Sequence, residues 1–232
     1  MLCMICSHTI VRNGADFVEP CLRQILPYVD RALVSVDLSS KDETIDILKR
    51  LEKEYKNLEL SYFLSDNLKG LTEERNRQLE KTTEDWFWIV DGDEYYLKED
   101  IEKILSDLDK KYICYEFSFW FPVSLTEHHY NYSRTFAPRI FRKEPEMKWK
   151  RAFPKETLYN KGLRIYSKTS PEIKRHNVRY IHFSHLKNWS WRKEYGYRFR
   201  EYDKCKLPIK IINEIKLCLK SVECAKAQNL KK

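Results

Sequence analysis

From Leu2 to about Asp109 the chain alternates short runs rich in β-branched and aromatic residues with longer amphipathic runs. This alternation constrains the fold more than any other feature of the 232 residues. Parallel strands cannot be joined by tight turns; each pair needs a crossover of a dozen or more residues, usually a helix. The spacing predicts strands at Leu2–Thr9, Ala32–Asp37, Leu58–Leu64 and Trp86–Val90. Helices are predicted over Phe17–Tyr28, Glu43–Tyr55, Leu71–Thr82 and Glu99–Leu108, the last with Ile101, Ile104, Leu105 and Leu108 at helical spacing. The first part reads as an α/β half with a parallel sheet.

The remainder has a different texture. Tyr112–Pro122 is strongly aromatic, and shorter strand-like pieces follow at Phe136–Phe141, Leu163–Tyr166 and Val178–Phe183, expected to join the main sheet as antiparallel hairpins. A basic, aromatic segment, Trp189–Tyr202, precedes Pro208 and an amphipathic run from Ile209 to Ala225. With no internal repeat and no low-complexity linker, the expected division is 1–110, 111–188 and a helical C-terminal extension, 189–232.

Charge separates along the same lines. Residues 1–133 carry 16 Lys and Arg against 26 Asp and Glu, residues 134–186 carry 14 against 4, and residues 187–232 carry 13 against 5. An acidic front suits a cation or a cation-bound ligand; a basic back suits phosphates, an acidic surface or the front itself. Seven cysteines scattered from Cys3 to Cys224 form no paired framework, which fits a reducing compartment. Cys3-x-x-Cys6 lies in an apolar strand with no second pair to complete a zinc site, so both are read as strand thiols. No run reaches the ~18–20 apolar residues of a membrane span, and the apolar N-terminal run lacks a basic leader. A cytoplasmic location is expected, including the inner membrane surface.

In an open parallel sheet, ligands collect beyond the carboxyl ends of the strands. Polar residues gather there: His8, Thr9, Arg12 and Asn13 after the first strand, Asp37 and Ser39–Asp42 after the second, Ser65 and Asp66 after the third, and Asp91-Gly92-Asp93-Glu94 after the fourth. Ser39, Ser40 and Asp42 would serve equally as helix caps. Two carboxylates two residues apart, with Gly92 allowing a sharp turn, can offer hard oxygen ligands to Mg²⁺ or Mn²⁺, which in turn clamps a diphosphate. Neither G-x-G-x-x-G nor G-x-x-x-x-G-K-[ST] occurs, which argues against a dinucleotide dehydrogenase and a P-loop NTPase.

The succession Arg12-Asn13, Val36-Asp37-Leu38-Ser39-Ser40-Lys41-Asp42-Glu43-Thr44, Glu74-Arg75-Asn76 and Asp85-Trp86 through Asp91-Gly92-Asp93-Glu94 resembles the ordered motifs of family 2 glycosyltransferases with the GT-A fold. The resemblance implies a mixed, mainly parallel sheet flanked by helices, a nucleotide-sugar donor and a divalent metal. It implies that Asp37 contacts the base with Thr9 and Arg12 nearby, that Arg75 and Asn76 lie by the diphosphate, and that Asp91 and Asp93 bind metal and diphosphate. Glu94 is expected to support the turn or the sugar.

Later motifs extend the likeness. Arg139-Ile140-Phe141-Arg142, Trp149-Lys150 and Lys155-Glu156 resemble an arginine-phenylalanine-arginine stretch followed by His-Glu, with Lys155 in place of the histidine. This makes Glu156 the candidate general base. Ile181-His182-Phe183-Ser184-His185 resembles the fold's late histidine motif, with His182 preferred over His185 as the metal-side ligand and Ser184 on the same strand face as His182. His128-His129 is expected in a solvent- or acceptor-facing loop.

The function implied is metal-assisted, inverting glycosyl transfer by donor half 1–110 to an acceptor on half 111–188. That acceptor is a glycan, lipid-linked glycan, protein or small molecule. The segment Trp189–Tyr202 carries the expectation of peripheral membrane contact; nucleic acid is not expected as a partner. The alternatives are a sugar-phosphate nucleotidyltransferase, for which Thr9–Ala15 lacks a glycine-rich triphosphate loop, and a non-enzymatic nucleic-acid-binding protein.

Overall fold

The computed structural model of the chain describes residues 3–65, 69–129, 135–152, 156–165, 172–186 and 204–229. Asp66, Lys155 and the segment Trp189–Tyr202, all singled out above, lie outside the described residues, as does the side chain of His185.

The parallel half forms as its pattern predicts. Strands β1 (Ile5–Val11), β2 (Arg31–Asp37), β3 (Leu58–Phe63) and β4 (Trp86–Ile89) stand in the order β3-β2-β1-β4, all parallel. Helices α1 (Val18–Ile25), α2 (Thr44–Glu54) and α3 (Gly70–Lys81) make the crossovers. β1 runs past Thr9 because Ile10 and Val11 still pair with Ser35 and Val36. α1 ends at Ile25 rather than Tyr28: Leu26–Tyr28 is a 3-10 turn containing Pro27, which has no N–H to continue the α-helical ladder.

β5 (Glu94–Tyr95) and α4 (Lys98–Ser106) follow, then β6 (Cys114–Trp120), β7 (Glu127–His129) and β8 (Phe136–Arg142). A small sheet of β9 (Lys148–Lys150), β10 (Thr157–Asn160) and β11 (Leu163–Arg164) precedes β12 (Ile173–His182), β13 (Lys204–Lys206) and α5 (Ile209–Asn229). The main sheet has eight strands in the order β3-β2-β1-β4-β8-β6-β12-β5. β8 is antiparallel to β4 and β6, but β12 is parallel to β6, so the expected antiparallel arrangement holds only in part. The long excursion through β8 and the small sheet gives β12 the crossover that a parallel return requires.

β5 follows β4 in sequence yet pairs with β12 three strands away, Ile181 with Tyr95 and His182 with Glu94. In a flat sheet those four steps would cover ~19 Å. The chain from Ile89 to Glu94 spans at most ~18 Å when fully extended, and the Glu94 N–H turns it back by donating to the Asp91 carbonyl at 2.9 Å. The sheet therefore curls, bringing the end of β12 onto the loop after β4.

Two apolar layers sandwich β4. Trp86, Trp88 and Val90 face α1, α2 and α4 through Leu22, Leu48, Leu51, Ile101 and Ile104. Phe87 and Ile89 face the other way, onto Leu79 of α3, Phe141 of β8, and Leu158 and Ile165 of the small sheet. Burial on both faces explains why this strand reads as an unbroken apolar run. A third cluster joins Phe17 and Cys21 to Tyr95, Ile181, Phe183 and then Ile211, Ile215 and Cys218 of α5, so the C-terminal helix packs against the first part of the chain. No described helix is long and apolar enough to cross a membrane.

Candidate active site

The site is assembled where the loops after β1, β2 and β4 meet the end of β12. Two glycines set how closely the β1 and β4 loops approach. A Cβ on Gly92 would stand 3.1 Å from Val11 Cγ2, and one on Gly14 would overlap the same methyl group. Among the described glycines only Gly162 has a positive φ. Gly92 is thus needed for the space above Val11, not for the turn conformation expected of it.

Asp91 and Asp93 part company at this turn. Asp91 Oδ1 accepts from Arg75 Nη2 at 2.7 Å, and Arg139 Nη2 lies 3.7 Å from its other oxygen. Burial alone would raise the Asp91 carboxyl, but the two guanidiniums outweigh it and hold it below the ordinary range. Asp93 faces His182, with Oδ1 3.6 Å from Nε2. Burial would lower the His182 imidazole; the neighbouring Asp93 overcomes this and raises it.

β12 ends at His182, and Phe183–His185 forms a 3-10 turn, so strand alternation does not set the place of Ser184. Its Oγ nevertheless meets His182 Nδ1 at 3.3 Å. The Phe183 N–H donates to the Asp93 carbonyl at 2.8 Å, fixing the β12 end to the aspartate loop. Phe119 and Phe121 pack on the imidazole with ring centroids 5.8 and 5.3 Å away.

Arg139, on β8, belongs to this constellation although the sequence offered it only as part of a stretch. Its guanidinium pairs with the fully buried Glu94 and lies 5.5 Å over the Tyr180 ring. Glu94 supports the turn, as expected: its Oε2 accepts from the Asp91 N–H at 3.4 Å. Burial, only partly offset by Arg139, pushes its carboxyl up to about 7. Arg75 Nη1 and Arg139 Nε are buried nitrogens with no hydrogen-bond partner among the described residues. A signal for Arg139 was a cation placed within an otherwise apolar strand.

Asp37, at the end of β2, is buried and accepts through Oδ1 from the Ser39 N–H and hydroxyl at 2.9 and 2.7 Å. Asp42 accepts from the Thr44 N–H at 3.2 Å and the Ala15 N–H at 3.0 Å, tying the β1 loop to the start of α2. Half-buried Arg12 follows β1 directly, and Asn13 laces the two loops by accepting from the Lys41 N–H at 2.8 Å.

Two predicted residues are engaged elsewhere. The Thr9 hydroxyl donates to the Val90 carbonyl at 2.7 Å, joining β1 to β4. Both ends of the Asn76 amide hold the Trp149 backbone, Nδ2 donating to its carbonyl at 3.0 Å and Oδ1 accepting from its N–H at 2.8 Å. Asn76 therefore clamps β9 to α3. Glu156, just before β10, is half-buried; burial raises its carboxyl, while Arg75 and Asp91 are near enough to act on it with opposite signs. His128, far from being loop-exposed, is buried on β7 with Trp120 packed edge-on at 5.0 Å. Cys6 is buried and its thiol pushed up to about 12 by burial, as an inert strand thiol should be.

Among the described residues no three His, Cys, Asp or Glu side chains converge as a metal cluster. Asp93 and His182 nonetheless offer an oxygen and a nitrogen donor side by side, which suits Mn²⁺ or Mg²⁺ if substrate oxygens complete the shell.

Comparison with known proteins identifies relatives of this chain. The chain is 30% identical over 95 residues to glycosyltransferase SunS of Bacillus phage SPbeta and to its prophage-derived counterpart in Bacillus subtilis strain 168. Each match spans 41% of this chain and 21% of the relative, so the matched region covers about a fifth of each relative's length. Among solved structures, S. aureus TarS 1–349 aligns over 60% of this chain and 47% of its own at 21% identity and a TM-score of 0.46. A Pyrobaculum calidifontis mannosyltransferase, solved with GDP-Man and Mn²⁺, aligns over 53% of this chain and 37% of its own at 17% identity and a TM-score of 0.42. The sheet itself is curled, mixed and mainly parallel, and flanked by helices. With the sequence model for glycosyl transferase family 2 matching residues 8–170, more than two-thirds of its length, the chain belongs to that family.

Proposed function

We propose that this glycosyltransferase moves a sugar from a nucleoside-diphosphate donor to an acceptor hydroxyl by direct displacement, with inversion at the anomeric carbon. The observation that carries the reading is the pair of partnerless buried nitrogens, Arg75 Nη1 and Arg139 Nε, on the two guanidiniums that flank Asp91. Buried donors of this kind are costly unless a ligand satisfies them, and diphosphate oxygens are suited to do so.

Asp37 and Arg12, at the ends of β2 and β1, would take the nucleoside. Asp93 and His182, with Asp91, would hold Mn²⁺ or Mg²⁺. When bound, the cation neutralises charge on the departing diphosphate. Glu156 takes the acceptor's hydroxyl proton while the oxygen forms its bond to the anomeric carbon. The bond from that carbon to the diphosphate oxygen breaks, and its electron pair leaves with the phosphate. A carboxyl raised by burial is a better base for this than an ordinary one.

The test is thermal unfolding with UDP and GDP, with and without Mn²⁺, followed by donor consumption in the presence and absence of EDTA. One nucleotide with Mn²⁺ should raise Tm by several degrees, the effect of saturation well above Kd. EDTA should abolish donor turnover. Absence of any nucleotide effect, together with no consumption of UDP- or GDP-sugars, would overturn the reading.

A further inference from the structure

A cavity of about 180 Å³ lies between the main sheet and the small sheet, outside the cluster of charges just described. Its walls include Phe141, Trp149, Leu158 and Ile165, with Glu156 and Arg164 bringing charge to the lining. Phe141, Leu158 and Ile165 are buried, and Phe141 meets Trp149 edge-to-face at 6.1 Å. The Trp149 indole N–H is buried and has no acceptor among the described residues. An apolar cavity of ~150 Å³ is large enough for a benzene molecule, so this one has room for a six-membered ring with one substituent.

We propose that this cavity is the acceptor subsite and takes a hydroxylated aromatic ring, a phenol or its equivalent in a larger molecule. The apolar and aromatic walls select the ring. A hydroxyl on that ring can both accept from an orphaned indole N–H and donate to a carboxylate, the two polar partners supplied by Trp149 and Glu156. Burial of the Glu156 carboxyl, which raises it, matches a base that works beside an apolar ring. Position supports the same assignment. On α3, Arg75 reaches Asp91 on the donor side while the next residue, Asn76, grips the backbone of Trp149, so a single helix holds both the donor loop and the cavity wall.

The proposal rests on the glycosyl-transfer reading for the word acceptor, but the binding site itself can be tested separately. The probes are 4-fluorophenol, 4-fluorotoluene and methyl α-glucoside, titrated into the full chain. The fluorinated rings are followed by ¹⁹F NMR and all three by the Trp149 indole N–H signal, assigned through its loss in Trp149→Phe. The expected result is that 4-fluorophenol binds at least tenfold tighter than 4-fluorotoluene, displaces the Trp149 signal, and loses most of that preference in Trp149→Phe.

Ile165→Phe, which fills the cavity, should weaken 4-fluorophenol at least tenfold; circular dichroism reports whether it folds, and the Trp149→Phe comparison decides the matter if it does not. Equal binding of phenol and toluene, no phenol binding at millimolar concentration, or tighter binding of the glucoside would each overturn the proposal. Phenol binding with neither a nucleotide effect on Tm nor consumption of UDP- or GDP-sugars would leave the cavity standing and sink the proposed donor reaction. The reverse pattern would sink the cavity alone.

Discussion

The two halves of the site are built from opposite materials. On the proposed donor side, Asp91, Glu94, Arg75 and Arg139, drawn from the loop after β4, β5, α3 and β8, form a lattice of ionisable groups. On the proposed acceptor side, Phe141, Trp149, Leu158 and Ile165 form an apolar hollow whose floor is one main-sheet strand and whose cover is three short strands. The contrast assigns different jobs. Fixed charges suit a group common to many donors, whereas side-chain shape suits the group that differs from one acceptor to the next.

If the donor half is an electrostatic unit, breaking one member should strand another. Arg139→Met leaves Glu94 buried without its cation and should cost about 3–5 kcal/mol in urea unfolding; Arg139→Met with Glu94→Gln should recover much of that loss. A single-variant cost under 1 kcal/mol would mean that the lattice is not coupled. Asp93→Ala should leave stability close to normal yet reduce donor turnover by ~10²–10³-fold, and unchanged turnover in EDTA would remove the metal from the mechanism.

Smaller effects probe the seam between the halves. Asn76→Ala removes both bonds to Trp149 and should cost about 1–3 kcal/mol, weakening 4-fluorophenol while nucleotide binding persists. Loss of both together would show one site rather than two. For Glu156, burial raises the folded carboxyl above its ordinary value, so the base is lost as pH falls through that raised value. The acid limb of kcat/KM should therefore lie above the ordinary carboxylate range and disappear in Glu156→Gln, with any residual rate pH-independent there. Least affected of all, Leu163→Ser at the exposed tip of the small sheet should change stability by no more than about 0.5 kcal/mol, because Leu163 is 76% exposed.

Legibility in the sequence follows the same division. The donor half could be read because strand ends, glycines and acids occur in a fixed order, and β4 announces itself by an apolar run buried on both faces. The acceptor half could not. β9 and β10 are three and four residues long, too short for periodicity, and β11 retains only Leu163 and Arg164 of the predicted Leu163–Tyr166, with Tyr166 outside the described residues. Thr9 and Asn76 were read as donor-binding residues, but sequence cannot show that their polar atoms are spent on Val90 and Trp149. Arg139 was missed as a site residue because its partners, Asp91 and Glu94, stand more than forty positions away and meet it only when the sheet curls.

Successive residues on an α-helix are separated by a fixed step of 1.5 Å and about 100°. Since Arg75 and Asn76 attach to Asp91 and Trp149, the distance between the proposed donor loop and the proposed acceptor cavity would be gauged by rigid backbone geometry, not by loop length. Residues of the small sheet could then be exchanged to suit a new recipient while the reach of the transfer stays constant.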